Sequence, residues 1–146
     1  MCECESPNQL RALVELITKL DPKRLFLVQE YLGDRPGTDL RVLCLGGRAL
    51  NVAMKRSSGG KDFRSGISTG GTGARFDMTR EIAEISEKIV QQMLDIAGVD
   101  LLWKGDDMVI CEVNSAPGFR GFETYCDVKI AEMIADYVKS RLESVK

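Results

Sequence analysis

Asp100, Glu112 and Asn114 are the residues in this sequence whose types and spacing point most directly to chemistry. Two stretches, Ala97-Gly98-Val99-Asp100-Leu101-Leu102 and Cys111-Glu112-Val113-Asn114-Ser115-Ala116-Pro117-Gly118, each read as a strand ending in acidic or amide side chains. The Gly105-Asp106-Asp107 segment between them supplies a tight reversal. A three-residue loop at 105–107 sets Asp100 across from Glu112, and Asn114 follows two residues on along the same face. Three oxygen-bearing side chains then converge, the ligand type that a hard cation such as Mg²⁺ takes, with its remaining positions left to water and phosphate oxygens. Two carboxylates at one site repel, so at least one of them is expected to have a raised pKa. The alternative is that Asp100 caps a strand and Glu112 is merely solvated. Against it stand the apolar flanks, because an uncompensated acid inside an apolar run is costly.

The elements that must hold these residues follow from periodicity and punctuation. Residues 1–5 read as the end of a strand. Ser6 is then an N-cap, Pro7 takes the first helical position and Gln9 completes a capping box. Leu10, Leu13, Val14, Ile17 and Leu20 follow at helical spacing, and Asp21-Pro22 stops the helix. Residues 25–32 are strand-like. The Gly33-Asp34-Arg35-Pro36-Gly37-Thr38 turn leads into a second strand at 39–45, and Gly46-Gly47 reverses it into a third at 48–56, an antiparallel meander. Thr79 N-caps a long helix to about residue 97, with Ile82, Ile85, Ile89, Val90, Met93 and Leu94 on its apolar face and Gly98 at its end. Asp127 caps a final helix that turns Ile130, Ala131, Ile134, Val138 and Leu142 inward.

Residues 57–75 hold glycines at 59, 60, 66, 70, 71 and 73, interleaved with Ser, Thr, Lys and Arg. Such a stretch packs little apolar surface of its own, so it is either a flexible linker or a binding loop whose backbone approaches a ligand. The embedded Asp62-Phe63-Arg64-Ser65 favours the second reading. Backbone N–H groups and hydroxyls beside Arg64 and Lys61 suit phosphate or carboxylate oxygens. It is not a Walker motif, because no Gly-Lys-Ser/Thr follows at the required spacing.

Composition excludes several classes. A chain of 146 residues buries one real core, and a formal net charge of −2 carries no electrostatic footprint for nucleic acid. Five cysteines at 2, 4, 44, 111 and 126 lack paired zinc spacing, and the Cys2/Cys4 pair supplies only two ligands. With no signal-peptide pattern and no apolar run of membrane length, reduced thiols in a cytoplasmic protein are expected. The absence of histidine removes His-based triads, zinc–His sites and imidazole acid–base chemistry.

Gln29-Glu30-Tyr31, Asp39-Leu40-Arg41, Met54-Lys55-Arg56, Phe63-Arg64-Ser65, Gly70-Gly71, Ala97-Gly98-Val99-Asp100 and Glu112-Val113-Asn114-Ser115-Ala116-Pro117-Gly118 resemble, in order and approximate spacing, the ATP-grasp ligases. The closest likeness is to the RimK-type branch, which adds glutamate or similar amino acids to carboxylates, and it runs from about residue 2 to residue 137. The resemblance implies roles for the matching residues. Gln29, Glu30, Tyr31 and Leu32 take the place of the hinge that holds adenine and ribose, and Asp39 sits where the family contacts the nucleotide. Asp100, Glu112 and Asn114 match the ligands of the Mg²⁺ or Mn²⁺ ions that bridge the ATP phosphates. Arg64 with Ser65 matches the arginine that meets the transferred phosphoryl group or the acyl phosphate. Arg41, Lys55 and Arg56 resemble anion contacts for substrate carboxylate or phosphate, while the residues alone leave them equally readable as solvated strand positions. Such chemistry concentrates negative charge in the transition state, which metal ions and fixed guanidinium groups stabilise.

Two departures bear on this. Gly66 stands where RimK-type enzymes usually carry Asn, and Ser68-Thr69 replaces a basic or aromatic residue, which leaves the substrate open. The resemblance also implies that an N-terminal domain, a lysine-bearing strand and a glycine-rich flap lie outside this chain. The expected fold is α+β, an ATP-grasp C-terminal subdomain at 29–146 with helices packed on one face of an antiparallel sheet, plus a remnant of the middle, nucleotide-covering subdomain at 1–28. The implied activity is an ATP-dependent carboxylate–amine ligase using ATP, a glutamate-like amino acid and a carboxylate acceptor. The isolated chain is expected to be incomplete and inactive unless a second copy completes it as a homodimer. The alternative is a non-catalytic nucleotide- or metal-binding or interaction module on the same scaffold.

Overall fold

Helix α1 (Pro7–Leu20) starts where its punctuation places it. The Ser6 hydroxyl accepts from the Gln9 N–H at 3.2 Å, and the Gln9 side-chain oxygen reaches back to the Glu5 N–H at 2.7 Å. The Asp21 N–H closes the helix on the Ile17 carbonyl at 2.9 Å. This computed structural model describes residues 2–60, 63–67, 70–92 and 94–144. They divide into two compact units, Met1–Tyr31 and Leu32–Lys146. In the first unit α1 is the one regular element among the described residues, and none of its side chains is buried. Among the described residues, the strands expected at 1–5 and 25–32 do not form. Residues 25–32 have strand-forming side chains, but no strand pairs with them among the described residues, and β structure needs a ladder to satisfy its backbone.

The second unit is built on a five-stranded antiparallel sheet in the order β3-β2-β1-β4-β5, from β1 (Thr38–Leu45), β2 (Arg48–Ser57), β3 (Thr72–Asp77), β4 (Ile96–Lys104) and β5 (Asp107–Asn114). Gly46 and Gly47 reverse β1 into β2 with φ of +62° and +71°, the conformation a two-residue hairpin turn requires. The β4–β5 turn is also two residues, Gly105 and Asp106, rather than the three expected, because Asp107 already pairs with Lys104. β3 was not foreseen. It is an edge strand carved from the glycine-rich stretch, and Gly73 within it lies so close to Tyr125 that a Cβ would stand 2.6 Å from the ring.

Helix α2 (Arg80–Val90) is capped by Thr79, whose hydroxyl accepts from the Ile82 N–H at 3.3 Å. It ends some seven residues short of the expected position because Ile96 and Ala97 are claimed by β4, opposite Leu45 and Cys44. Gly98 is therefore a strand residue and not a helix stop. Met93 lies outside the described residues. Helix α3 (Arg120–Cys126) was also unforeseen, and Asp127 closes it in the left-handed conformation (φ 53°) instead of opening the last helix, α4 (Ile130–Ser144). The inward stripe expected on α4 is covered only at its start. Ile130 is buried, whereas Ala131, Val138 and Leu142 are exposed.

Period-2 alternation gives the sheet two apolar faces, and helices cover both, where one face was expected. On one, Ile82 and Val90 of α2 pack on Leu40, Val42, Cys44, Ala53, Val99 and Leu101. On the other, Phe122 and Cys126 of α3 and Ile130 of α4 pack on Leu43, Val52 and Met54. Burying each of the larger side chains contributes roughly 1.5–3 kcal/mol. The five cysteines are free. Burial, aided by the charge of Glu87, pushes the Cys44 thiol up to about 12, so it behaves as a small core hydrophobe. Among the described residues no helix is long and apolar enough to cross a membrane.

Candidate functional site

The face that carries α3 and α4 changes character toward the other end of the sheet, where its apolar residues give way to charges. Asp39 and Arg41 follow one another on β1 at a spacing of two, Asp39 lies opposite Arg56 of β2, and Arg41 lies opposite Asp100 of β4. Asp100 in turn lies opposite Glu112 of β5, and Gly98 opposite Asn114. Strand pairing thus places six of the candidate residues on one face.

Four of these side chains form a nearly buried ion-pair network. Arg41 binds Asp100 through two bonds, Nε to Oδ1 and Nη2 to Oδ2, each 2.7 Å. Arg56 grips Asp39 in the same forked way, Nε to Oδ1 at 2.6 Å and Nη2 to Oδ2, and its Nη2 also reaches Asp100 Oδ2 at 2.9 Å. Side-chain exposure is only 9–14% across the four groups. Two carboxylates face two guanidinium groups, so the charges balance, which is the condition for burying them at tolerable cost.

Asp100 is not the acid with the raised pKa that was expected of at least one of the pair. Burial pushes its carboxyl up, but the hydrogen bonds from Arg41 and the positive charges of Arg56 and Arg41 outweigh burial and hold it below the ordinary 3.8. At Asp100 the arginines, and not a neighbouring acid, decide the direction. A folded-state pKa below the unfolded one means that Asp100 contributes stability fully above the ordinary carboxylate range and loses it as pH falls through the depressed value. Between about pH 5 and pH 2, Asp100→Asn is therefore expected to flatten the fall in unfolding free energy measured by urea titration at each pH. An unchanged slope would show that Asp100 is not coupled to the arginines.

Glu112 is exposed, and Asn114 is half-buried with its side-chain oxygen accepting from the Ala116 N–H at 3.0 Å. That bond shapes the turn into Pro117, which approaches β4 so closely that a Cβ on Gly98 would stand 2.8 Å from Pro117 Cβ. A β-bulge sits beside Asp100, where Cys111 is an extra residue between Ile110, opposite Leu101, and Glu112. Cys111 was not singled out from sequence. Burial first, then the negative charges of Asp100, Glu112 and Asp39, push its thiol up against the opposing charge of Arg56, so it stands within the field of the acidic residues. The donor set of Asp100, Glu112 and Asn114 is all oxygen, two carboxylates and an amide, which fits a hard divalent cation that keeps water and phosphate ligands. Among the described residues no group of three His, Cys, Asp or Glu side chains is placed to hold a metal ion.

Other candidate residues lie elsewhere. Lys55 is on the opposite face, next to Arg56 in sequence but turned toward Trp103, with its ammonium 6.0 Å from the ring centroid. Arg35 stacks on the same ring at 4.6 Å. Arg64 is exposed, its guanidinium 5.8 Å from the centroid of Phe63, and Ser65 is half-buried. Their loop is pinned by backbone bonds from Gly37 N–H to the Phe63 carbonyl (2.9 Å), Ser58 N–H to the Gly37 carbonyl (2.8 Å) and Gly71 N–H to the Gly66 carbonyl (3.0 Å). A Cβ on Gly71 would meet two carbonyl oxygens at 2.7 and 2.8 Å, so this glycine serves a tight internal turn. Lys61, Asp62, Ser68 and Thr69 lie outside the described residues. Gln29, Glu30 and Tyr31 belong to the first unit, where they are exposed, and Leu32 begins the second.

Comparison with known proteins agrees with this fold. A family model described as the RimK-like ATP-grasp domain matches residues 2–138. A probable alpha-L-glutamate ligase of Xanthomonas euvesicatoria pv. vesicatoria (strain 85-10) is 34% identical over 136 residues, covering 92% of this chain and 45% of the relative. Its namesake in Maridesulfovibrio salexigens is 32% identical over 143 residues, 97% of this chain and 46% of the relative. The chain thus spans about half the length of these curated relatives. Among solved structures, the ATP-grasp ligase PsnB complexed with a minimal precursor aligns with a TM-score of 0.55 at 22% identity, over 73% of this chain and 34% of that one, a likeness of fold. With nearly its whole length matched by the family model, this chain belongs to the RimK-like ATP-grasp family.

Proposed function

We propose that this chain is the ATP- and metal-binding C-terminal part of an ATP-dependent carboxylate–amine ligase that adds glutamate or a similar amino acid through an acyl phosphate. Residues 1–28 would be a remnant of the nucleotide-covering subdomain and 29–146 the C-terminal one. The observation that carries the reading is the cross-strand pairing of Asp100 with Glu112 on the face that also holds Arg41 and Arg56, in a chain whose relatives are named glutamate ligases. Asp100, Glu112 and Asn114 would hold Mg²⁺ or Mn²⁺, which supplies charge neutralisation at the phosphates. Gln29, Glu30, Tyr31, Leu32 and Asp39 would hold the nucleotide. Arg41 and Arg56 would meet anionic oxygens, and Arg64 with Ser65 the transferred phosphoryl group. The γ-phosphoryl group passes to a carboxylate oxygen as ADP leaves; an amine then attacks the acyl carbon, phosphate departs, and an amide remains. The free thiols suit a cytoplasmic setting, and a homodimer is one route to a completed site.

Glu112 is the residue with which to test this, because it is exposed and its removal leaves the ion-pair network intact. Glu112→Gln is expected to weaken Mg²⁺-ATP binding by about tenfold or more in calorimetric titration, with an unchanged melting temperature. Equal affinity in the two proteins would remove Glu112 from the metal site. A second reading, a non-catalytic module, draws support from the engagement of both Asp100 oxygens by arginines, which is what a purely structural network would show. Nucleotide binding without any metal dependence would favour it.

A further inference from the structure

We infer that the sheet face opposite Asp100 carries a docking strip for an acidic peptide segment, with Lys55 and Arg35 beside Trp103 as its cationic anchors. Lys55 is half-buried. Its neighbours on this face, Leu40 and Ala74 across from it and Ala53 and Ser57 along β2, bear no carboxylate. Arg35 is exposed on the turn before β1 and lies over the indole at 4.6 Å, while the Lys55 ammonium is 6.0 Å from the same centroid. Among the described residues neither cation has an acidic side chain within ion-pair distance. The Asp34 carboxylate, next to Arg35 in sequence, accepts from the Gly105 N–H at 2.6 Å. Two positive charges gathered at one aromatic ring repel each other, and an anion shared by them offsets that cost.

An extended ligand suits this surface better than a single phosphate. A phosphate cradle brings backbone N–H groups to one point, whereas the polar groups here run in a line across the sheet. Thr72 of β3 lies opposite Ser57 of β2, and Ser57 lies opposite Thr38 of β1. That hydroxyl row is one step along from Lys55 on the same face, because Lys55 and Ser57 are two residues apart. Phe76 meets Trp103 edge to face with ring centroids 6.5 Å apart, which sets apolar surface beside the charges. Glutamate side chains use all of these features. One carboxylate takes the guanidinium fork, a second takes the ammonium, and the methylene stems cover aromatic surface. In a chain of net charge −2, attraction for an acidic peptide has to come from such a local pair of cations. This strip is independent of the metal reading above, since Lys55 and Asp100 are on opposite faces of the sheet.

Trp103 is the single tryptophan of the chain, so its emission reports on the Arg35 stack. The 146-residue chain, without metal or nucleotide, is titrated with a glutamate hexapeptide blocked at both ends. A saturable change in emission is expected, at concentrations at least about tenfold below those at which free glutamate acts, because the peptide engages both cations at once. Lys55→Gln, which leaves the Arg35 stack in place, should weaken binding by about threefold to tenfold. Arg35→Gln alters the reporter itself, so its expected loss of similar size is read from the anisotropy of a labelled peptide, with Arg35→Lys recovering part of it. Arg64→Gln, on the loop at 63–67, should bind like the wild type. No saturable change, or an equal response to a glutamine hexapeptide, overturns the inference. Competition by inorganic phosphate at the concentration of the peptide, or tighter binding of a single-stranded RNA of equal charge, overturns the assignment to an acidic peptide. Affinity lost in Arg64→Gln and kept in Lys55→Gln places the peptide elsewhere and overturns the strip.

Discussion

Replacing Arg56 by methionine is expected to lower the unfolding free energy by about 3–5 kcal/mol, seen as a lower urea midpoint with an unchanged slope. Arg56 is the hub of the network, gripping Asp39 with two donors and touching Asp100 with one, and its side chain is 9% exposed. Methionine fills a similar volume, so packing changes little. What remains is Asp39, a carboxylate 7% exposed with its guanidinium partner removed. A buried charge left alone costs more than the intact pair contributed, and this asymmetry produces the size of the effect. Asp39→Leu on the same background removes the orphaned charge and leaves Asp100 balanced by Arg41, so the double variant should recover at least half of the loss. A single-variant loss below about 1 kcal/mol would mean that the network behaves as a solvated surface pair.

That network was not legible in the sequence although each of its members had been singled out. The reason lies in two bulges. Continued without interruption from Leu45 opposite Arg48, the β1–β2 hairpin would set Asp39 against Met54; an irregularity between Val42 and Cys44 shifts the register and delivers Arg56 instead. On the other hairpin, continuation from Lys104 opposite Asp107 would set Asp100 against Cys111, and the bulge there moves Glu112 into place. The pairing of Asp100 with Glu112 was foreseen from a three-residue turn, while the structure reaches it through a two-residue turn and one extra strand residue. Bulges answer to tertiary packing more than to local composition. Without the register, Arg41 and Arg56 read as contacts for a ligand, whereas in the structure their nearest anions are Asp39 and Asp100.

Elements with strong local signals were readable: the Ser6 cap, the Gly46-Gly47 turn and the Thr79 cap each place a hydrogen bond or a positive φ where the residue type demands one. Those decided by neighbours were not. The segment 25–32 has strand-forming residues but no ladder, β3 is an edge strand hidden among glycines, and α3 has no side-chain cap to announce it. Lys55 shows the same limit at single-residue scale, since its place beside Arg56 in sequence puts it on the opposite face of the sheet.

The largest effect on rate is expected at Arg64. On the proposed ligase reading, Arg64→Ala in an active protein containing these residues should lower kcat by about 10²–10³-fold while leaving the nucleotide Kd within a factor of about three. Arg41 and Arg56 face carboxylates of the protein in the structure, so their charge is largely compensated before any substrate arrives. Arg64 is exposed, on a loop whose backbone is held by the bonds from Gly37 and Gly71. A guanidinium so placed adds little to ground-state affinity, which the metal and the hinge residues would supply, and acts where negative charge grows on the transferred phosphoryl group. Glutamate, which carries both an amine and carboxylates, serves as test substrate, with ADP release followed at saturating nucleotide and Kd measured separately by calorimetry. A rise in Kd matching the fall in kcat/KM, with kcat preserved, would make Arg64 an ordinary nucleotide contact and move the search for the transition-state group to Arg41.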